Sequence, residues 1–102
     1  MPDYPNTMIV KAKKPTVKAS SLAKKKQTIK KAKAFSIQYA QGLVSFKKVS
    51  GSKKLKISSK GVITVAKGTK KGTYKIKVKV TASGSEIFKK GSRTVTVKVR
   101  VK

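Results

Sequence analysis

The 102-residue chain carries 28 Lys and Arg residues, two acidic residues and no His or Cys, so its formal net charge is +26 at pH 7. The missing His excludes the common catalytic triads and zinc sites, and the missing Cys excludes disulfides and thiol chemistry. Because Asp3 and Glu86 alone cannot build a calcium site or a glycosidase pair, we expect a non-enzymatic protein without cofactor or metal.

The length fits a single domain, which we place at residues 6–102, after a flexible start at residues 1–5. High charge with only 37% hydrophobic residues often indicates disorder. Here the apolar residues are regularly patterned, which favours folding. The sequence predicts no transmembrane segment, since no apolar run approaches the ~18 residues of a membrane span, and no signal peptide is recognisable.

The first third of the chain predicts a divided strand followed by an ambiguous basic segment. Residues 7–12 and 16–19 read as two parts of one strand, because the intervening Pro15 interrupts a ladder. Residues 22–34 are rich in lysine around Ile29 and fit either a basic helix or an extended segment. We favour the extended form, because the rest of the chain has a β pattern.

Shorter strands follow in the middle of the chain. Apolar residues alternate over 35–39, and a further apolar group over 43–49 follows Gly42. Residues 55–57 and 62–65 predict two more strands, separated by a turn at 58–61. A second turn is expected at 68–72. We expect Phe46 in the core.

Residues 73–82 and 94–101 predict the two clearest strands, because apolar and polar residues alternate along both. Their inward residues are mostly β-branched, as strand packing favours: Tyr74, Ile76, Val78, Val80 and Ala82, then Val95, Val97, Val99 and Val101. We expect these strands to be antiparallel neighbours. Ile87 and Phe88, in the connection between them, are expected to cover one end of the core.

About seven short strands at these spacings predict an all-β fold, an immunoglobulin-like or fibronectin type III-like β-sandwich. The stretches Gly61-Val62-Ile63-Thr64-Val65 and Gly72-Thr73-Tyr74-Lys75-Ile76, with the region from Asn6 to Val17, resemble Lys-rich repeats in surface and secreted proteins of gut Firmicutes. Those repeats are similar to bacterial Ig-like (group 2) and fibronectin type III-like domains. The resemblance implies an extracellular or cell-surface module that serves in adhesion or spacing.

Neither calcium binding nor Ser–Lys catalysis is expected of this chain. Some Ig-like relatives bind calcium at domain junctions, but this chain has too few carboxylates for that trait to be transferred. Ser-x-x-Lys matches of the kind that some Ser–Lys enzymes use begin at Ser21, Ser45 and Ser50. In a chain this rich in lysine such matches arise by chance.

The charge pattern gives the candidate binding residues. Alternation should place Lys75, Lys77, Lys79, Lys98 and Arg100 on one sheet face. A second basic stretch comprises Lys24, Lys25, Lys26, Lys30, Lys31 and Lys33. The plainest interpretation is that lysine keeps the sheet soluble and blocks pairing at its edges. The more specific interpretation is polyanion binding through counterion release, with Lys13, Lys14, Lys47, Lys48, Lys53 and Lys54 adding to the field.

Teichoic acid, heparan sulfate, anionic lipid headgroups and nucleic acid are the candidate partners. Apart from Arg93 and Arg100 the basic residues are lysine, a hydrated point charge on a flexible stem. We therefore expect salt-dependent and weakly specific binding, including only non-specific contact with nucleic acid. Two alternatives remain open. One is a secreted fibronectin-like polypeptide that contacts a host receptor protein through loops at Gly42 or 83–91, and the other is a cationic nucleic-acid- or membrane-binding protein.

Overall fold

The computed structural model describes residues 4–102, which form nine strands and two short helices. The elements in chain order are β1 (Ile9–Ala12), β2 (Thr16–Val17), α1 (Ala19–Lys24), β3 (Gln27–Ile29), α2 (Lys31–Ala34), β4 (Phe35–Gln38), β5 (Val44–Gly51), β6 (Leu55–Ile57), β7 (Ile63–Val65), β8 (Gly72–Ala82) and β9 (Gly91–Val101). The all-β prediction is confirmed.

The strands are arranged in three sheets. The largest has the order β2-β9-β8-β5, a second has the order β3-β7-β6, and β1 pairs with β4. Strands β8 and β9 form an uninterrupted antiparallel ladder from Gly72↔Val101 to Ala82↔Gly91, as their alternating sequences predict. A β-bulge between Lys48 and Ser50 interrupts the pairing of β5 with β8.

The divided first strand is also confirmed, and the two parts belong to different sheets. β1 runs antiparallel to β4, whereas β2 runs parallel to β9 with Thr16 opposite Arg100. The change of sheet occurs at Pro15, whose carbonyl accepts the backbone N–H of Arg100 at 3.0 Å. Proline suits this position because it accepts a hydrogen bond without needing to donate one.

The hydrophobic core lies between the inner faces of the four-stranded and three-stranded sheets. The inward residues of β8 and β9 from Ile76 and Val97 onward are fully or almost fully buried. Facing residues come from the other strands and from α1: Leu22, Ile29, Phe35, Leu55, Ile63 and Val65. The rings of Phe35 and Phe46 are tilted against each other with centroids 5.0 Å apart, so Phe46 is a core residue as expected.

Residues 22–34 differ from both forms that the sequence left open. They contain the end of helix α1, then strand β3, then the single turn of α2. Leu22, Ile29 and Ala34 are all buried, and no single regular element could turn all three toward the core. The prediction of one extended segment is therefore wrong, although β3 supplies an additional short strand.

Ile87, which was expected to cover one end of the core, is instead 56% exposed. Leu43, in the apolar group predicted as a strand, is 84% exposed and lies just before β5. The alternation over 35–39 ends one residue early, because Tyr39 has a positive φ of 56° and is itself exposed. Phe88 is half-buried, and its ring contacts Tyr4 with centroids 5.9 Å apart.

The chain enters and leaves the sandwich at opposite ends of an elongated molecule of 51 × 20 × 17 Å. The backbone N–H of Tyr4 donates to Ile87 at 3.0 Å, and Lys89 donates to Tyr4 at 2.7 Å. Of the start predicted to be flexible, residues 1–3 lie outside the described residues, and Tyr4 is held by this pairing. Val101 lies at the far end of the β8–β9 ladder. Neither helix within residues 4–102 has the length and apolar character needed to cross a membrane.

Candidate polyanion-binding surfaces

The outward side of the four-stranded sheet carries a continuous set of basic residues, here termed the basic sheet face. Alternation along β5, β8 and β9 directs all of them to solvent, since their neighbours in sequence fill the core. The basic sheet face comprises Lys47, Lys75, Lys77, Lys79, Lys98 and Arg100. The five residues of β8 and β9 that the sequence placed on one side therefore do share a face.

The strand register brings like charges into direct opposition on this face. Lys75 is the ladder partner of Lys98, and Lys47 is the partner of Lys79. Opposed residues in an antiparallel pair have Cβ atoms about 5 Å apart, and like charges at this separation are destabilising. Threonine separates the remaining basic positions, for example opposite Lys77 and Arg100. The like charges on this face therefore repel one another, and a bound anion would reduce that repulsion.

A second surface is a groove lined by lysines from three separate segments, here termed the lysine groove. It has a volume of about 590 Å³ and lies across the outer side of the three-stranded sheet, where Thr64 pairs with Lys56. Its lysines come from the end of α1 and the two residues after it, from β6 and the residues just before it, and from the turn after β7: Lys24, Lys25, Lys26, Lys53, Lys54, Lys56 and Lys67.

Backbone hydrogen bonds hold these three segments together. Gly68 donates to the carbonyl of Leu22 at 2.7 Å, which joins the turn after β7 to helix α1. Ala66 donates to Lys54 at 2.9 Å, which joins the same turn to the approach to β6. The Thr69 hydroxyl closes the turn by donating to Ala66 at 2.7 Å. The backbone under the groove is thus fixed, while the lysine side chains remain exposed.

The basic stretch predicted over residues 24–33 does not form one surface. Lys24–Lys26 belong to the lysine groove, while Lys33 lines a different cleft of about 480 Å³ that also includes Lys14 and Lys18. Lys30 and Lys31 are exposed around the start of α2. Helix α2 lies between β3 and β4, which belong to different sheets, so the lysines around it lie apart from Lys24–Lys26.

The cleft around Lys33 continues into the basic sheet face. Lys14 and Thr16 also line a neighbouring depression with Thr73, Lys98 and Arg100. A band of positive charge therefore runs from the sheet face past β2 to α2. The sequence placed Lys14 only among the lysines that add to the overall positive charge. The parallel pairing of β2 with β9, which brings Lys14 close to the basic sheet face, could not be predicted from the sequence.

Two groove residues, Lys56 and Lys67, were missed by the sequence analysis. A signal existed for Lys56, since it lies between inward-facing Leu55 and Ile57 in β6 and must point outward. Lys48, by contrast, was expected to add to the outer positive charge, and this expectation is wrong. Its Nζ donates to the carbonyls of Ser52 and Leu55 at 2.7 and 3.0 Å, so it ties β5 to β6 instead of extending the outer surface.

Acidic groups are almost missing from the surroundings of these surfaces. Within residues 4–102 the one carboxylate side chain is that of Glu86, in the loop between β8 and β9. That part of the chain also contains no cluster of three or more His, Cys, Asp or Glu residues that could hold a metal. The charged groups on both surfaces are lysine ammonium groups, joined on the basic sheet face by the Arg100 guanidinium.

Comparison with protein-family models and with curated proteins finds no match for this chain.

Proposed function

We propose that this protein is a non-enzymatic, basic Ig-like or fibronectin type III-like module of a bacterial surface or secreted protein, which binds polyanions during adhesion or spacing. The observation that carries the proposal is the pair of lysine surfaces, the basic sheet face and the lysine groove. Among residues 4–102, opposed lysines such as Lys75 and Lys98 have no carboxylate partner on that face. An anionic polymer would supply the negative charge that these lysines lack.

Opposed lysines on the ladder repel one another. Their Cβ atoms are about 5 Å apart, so their side chains share a region not much wider than the Debye length of about 8 Å at physiological ionic strength. Each repels its neighbour, and a polymer of phosphate or sulfate groups would replace that repulsion by attraction. Release of the polymer's counterions adds an entropic gain that decreases as salt is added.

The residue type limits the specificity of this binding. Lysine binds phosphate as a point charge, whereas arginine offers a planar fork of donors. The lysine groove contains no arginine. We therefore propose linear phosphate or sulfate polymers, with teichoic acid and heparan sulfate as representatives, and only non-specific contact with nucleic acid.

The shape of the domain supports the spacing role. The described chain enters beside Phe88 and leaves beside Val101, at opposite ends of the β8–β9 ladder. A ladder of eleven residues extends over about 35 Å at the usual rise per residue. A module with this connectivity adds its full length to any chain that contains it, and its basic side surfaces remain accessible.

Binding to heparin, teichoic acid and duplex DNA should be measured across a salt series from about 20 to 500 mM. We expect all three polymers to bind at low salt, with log affinity decreasing linearly against log salt. Failure to bind any of them at low salt would refute the proposal. Persistence of one polymer at high salt would identify it as the preferred partner and point to a shaped site.

A further inference from the structure

The basic residues are unevenly distributed along the chain. Residues 4–10, 34–46 and 80–88 contain no lysine or arginine, although lysine recurs every few residues elsewhere. These three segments are far apart in sequence. Their lack of basic residues cannot follow from burial alone, because each contains residues that are exposed in the structure.

The fold brings the three segments without lysine or arginine together at the end of the sandwich where the chain enters, here termed the loop end. Gly84 donates to the carbonyl of Gln41 at 2.8 Å, and the Ser83 hydroxyl accepts the N–H of Leu43 at 2.8 Å. The Thr7 hydroxyl donates to the carbonyl of Tyr39 at 2.6 Å. The loops are therefore joined into one hydrogen-bonded surface.

Asn6 fixes this arrangement from inside. Its side-chain amide donates to the carbonyls of Gln41 and Lys89, both at 3.1 Å, and its Oδ1 accepts the N–H of Met8 at 3.1 Å. Asn6 is only 6% exposed. One buried amide thus connects the first two segments to Lys89, the residue that directly follows the third, which gives the loop end a defined shape.

The loop end exposes large apolar side chains. Leu43 is 84% exposed, Tyr39 67%, Tyr4 61% and Ile87 56%. The remaining exposed large hydrophobics of the described residues are Ile9, at the start of β1, and Val49, in the bulge of β5. Apolar exposure is thus concentrated at the part of the molecule where positive charge is missing.

We infer that the loop end is a docking surface for an anionic lipid bilayer. Aliphatic side chains at Leu43 and Ile87 would enter the boundary between headgroups and acyl chains, and Tyr4 and Tyr39 match the residue type enriched at that depth. Lysines immediately behind the loop end, at Lys89 and Lys90, would reach lipid phosphates. This inference concerns a surface separate from the two lysine surfaces and does not depend on polyanion binding there.

Shape and charge favour a bilayer. The loop end is the narrow end of an elongated molecule whose backbone measures 20 × 17 Å across. A bilayer accepts a small apolar tip and attracts the basic groups close to its surface, such as Lys89 and Lys90, by about 1 kcal/mol each. Two copies meeting at this end would have to overcome repulsion between chains of charge +26.

The test is co-sedimentation with vesicles of phosphatidylglycerol and phosphatidylcholine, compared with vesicles of phosphatidylcholine alone. The double variant Leu43→Ser/Ile87→Ser should bind the anionic vesicles about tenfold more weakly than wild type, because it loses two inserting side chains. Val49→Ser removes an equally exposed apolar side chain away from the loop end and should leave binding unchanged. Circular dichroism verifies that each variant is folded.

Two further variants separate insertion from simple charge attraction. Leu43→Trp places the chain's one tryptophan at the loop end, and its fluorescence should shift to the blue on anionic vesicles. Glu86→Gln removes the loop-end carboxylate and should tighten binding about fivefold. Equal binding by the double variant and wild type, or no blue shift in Leu43→Trp, would overturn the inference. Sedimentation that shows self-association lost in the double variant, with vesicle binding intact, would assign the surface to a second copy instead.

Discussion

Lys75 of β8 and Lys98 of β9 oppose each other directly across the antiparallel ladder, at the centre of the basic sheet face. Both side chains are exposed, and their strands are anchored by fully buried neighbours such as Ile76 and Val97. The core therefore fixes two like charges side by side. The strong alternation that specifies the strands also imposes this repulsion.

Replacing one member of this pair should stabilise the fold. Lys98→Glu converts a repulsive cross-strand pair into an attractive one, and we expect a gain of about 0.5–1 kcal/mol in the free energy of unfolding. Lys60→Glu makes the same charge change in an exposed turn and is the matched control. Urea unfolding at low salt should show the larger gain for Lys98→Glu. Equal gains would mean that only net charge matters.

Salt should stabilise the wild-type protein. A chain of charge +26 repels itself most strongly when compact, and added ions screen that repulsion. We expect the melting temperature to rise between about 10 and 150 mM NaCl. Sodium sulfate, compared at equal ionic strength, shows whether anion binding contributes beyond screening. A flat or falling melting temperature would contradict the expectation.

Gly61 should be far less tolerant of substitution than Gly68, although both have positive φ, of 91° and 79°. A Cβ at Gly61 would lie 2.8 Å from Cε1 of Phe46, whereas a Cβ at Gly68 would meet nothing within 4 Å. Gly68→Ala should cost about 1 kcal/mol for its backbone conformation. Gly61→Ala should cost about 2–4 kcal/mol, because it also displaces a core ring. Chemical denaturation of both variants provides the comparison.

Removal of the Asn6 side chain should loosen the loop end. Asn6→Ala leaves the buried N–H of Met8 and the partly buried N–H of Gln41 without their partner, and we expect a loss of about 2–3 kcal/mol. Thr7→Ala removes two exposed hydrogen bonds, one donated to Tyr39 and one accepted from the Gln41 side chain, and should cost less than about 1 kcal/mol. Hydrogen exchange should show faster exchange around residues 39–43 and 83–90 in Asn6→Ala. Uniform exchange changes across the domain would argue against a local role.

The two lysine surfaces can be compared by matched triple substitutions with glutamine. One variant changes Lys75, Lys77 and Lys79, a second changes Lys25, Lys54 and Lys56, and a control changes Lys11, Lys60 and Lys70, which are exposed outside both surfaces. Each removes three charges. For duplex DNA, losing three phosphate contacts lowers the slope of log affinity against log salt by up to about three. We expect that loss in the first two variants and a smaller one in the control; three equal losses would indicate undirected attraction.

The sequence predicts those elements best whose side chains obey one strict period. Strands β8 and β9 each alternate over most of their length, so their pairing and the basic residues they expose follow from the sequence. The segment 22–34 could not be predicted, because the seven-residue spacing of Leu22 and Ile29 suits a helix face only weakly and the segment has no regular alternation. The choice between these forms depends on tertiary contacts, such as the bond from Gly68 to Leu22.

The lysine groove could be predicted only in part, for a related reason. Its residues come from three segments that meet through backbone bonds of the turn after β7. Exposure of Lys56 follows from the alternation of β6, but its nearness to Lys24–Lys26 does not. Likewise, Leu43 and Ile87 are apolar residues next to strands, which favours burial. Their exposure depends on how the loops of the loop end are held by Asn6 and Ser83.

The parallel pairing of β2 with β9 gives the domain a mechanical property. A pulling force applied at Tyr4 and Lys102 would draw these two strands in opposite directions along their shared axis. Bonds from Arg100 to Pro15, from Lys102 to Val17 and from Ala19 to Lys102, at 2.7–3.0 Å, would then carry the load in shear and break together. Such a clasp resists extension far better than a hairpin unzipped bond by bond, so the domain should withstand tension along its long axis.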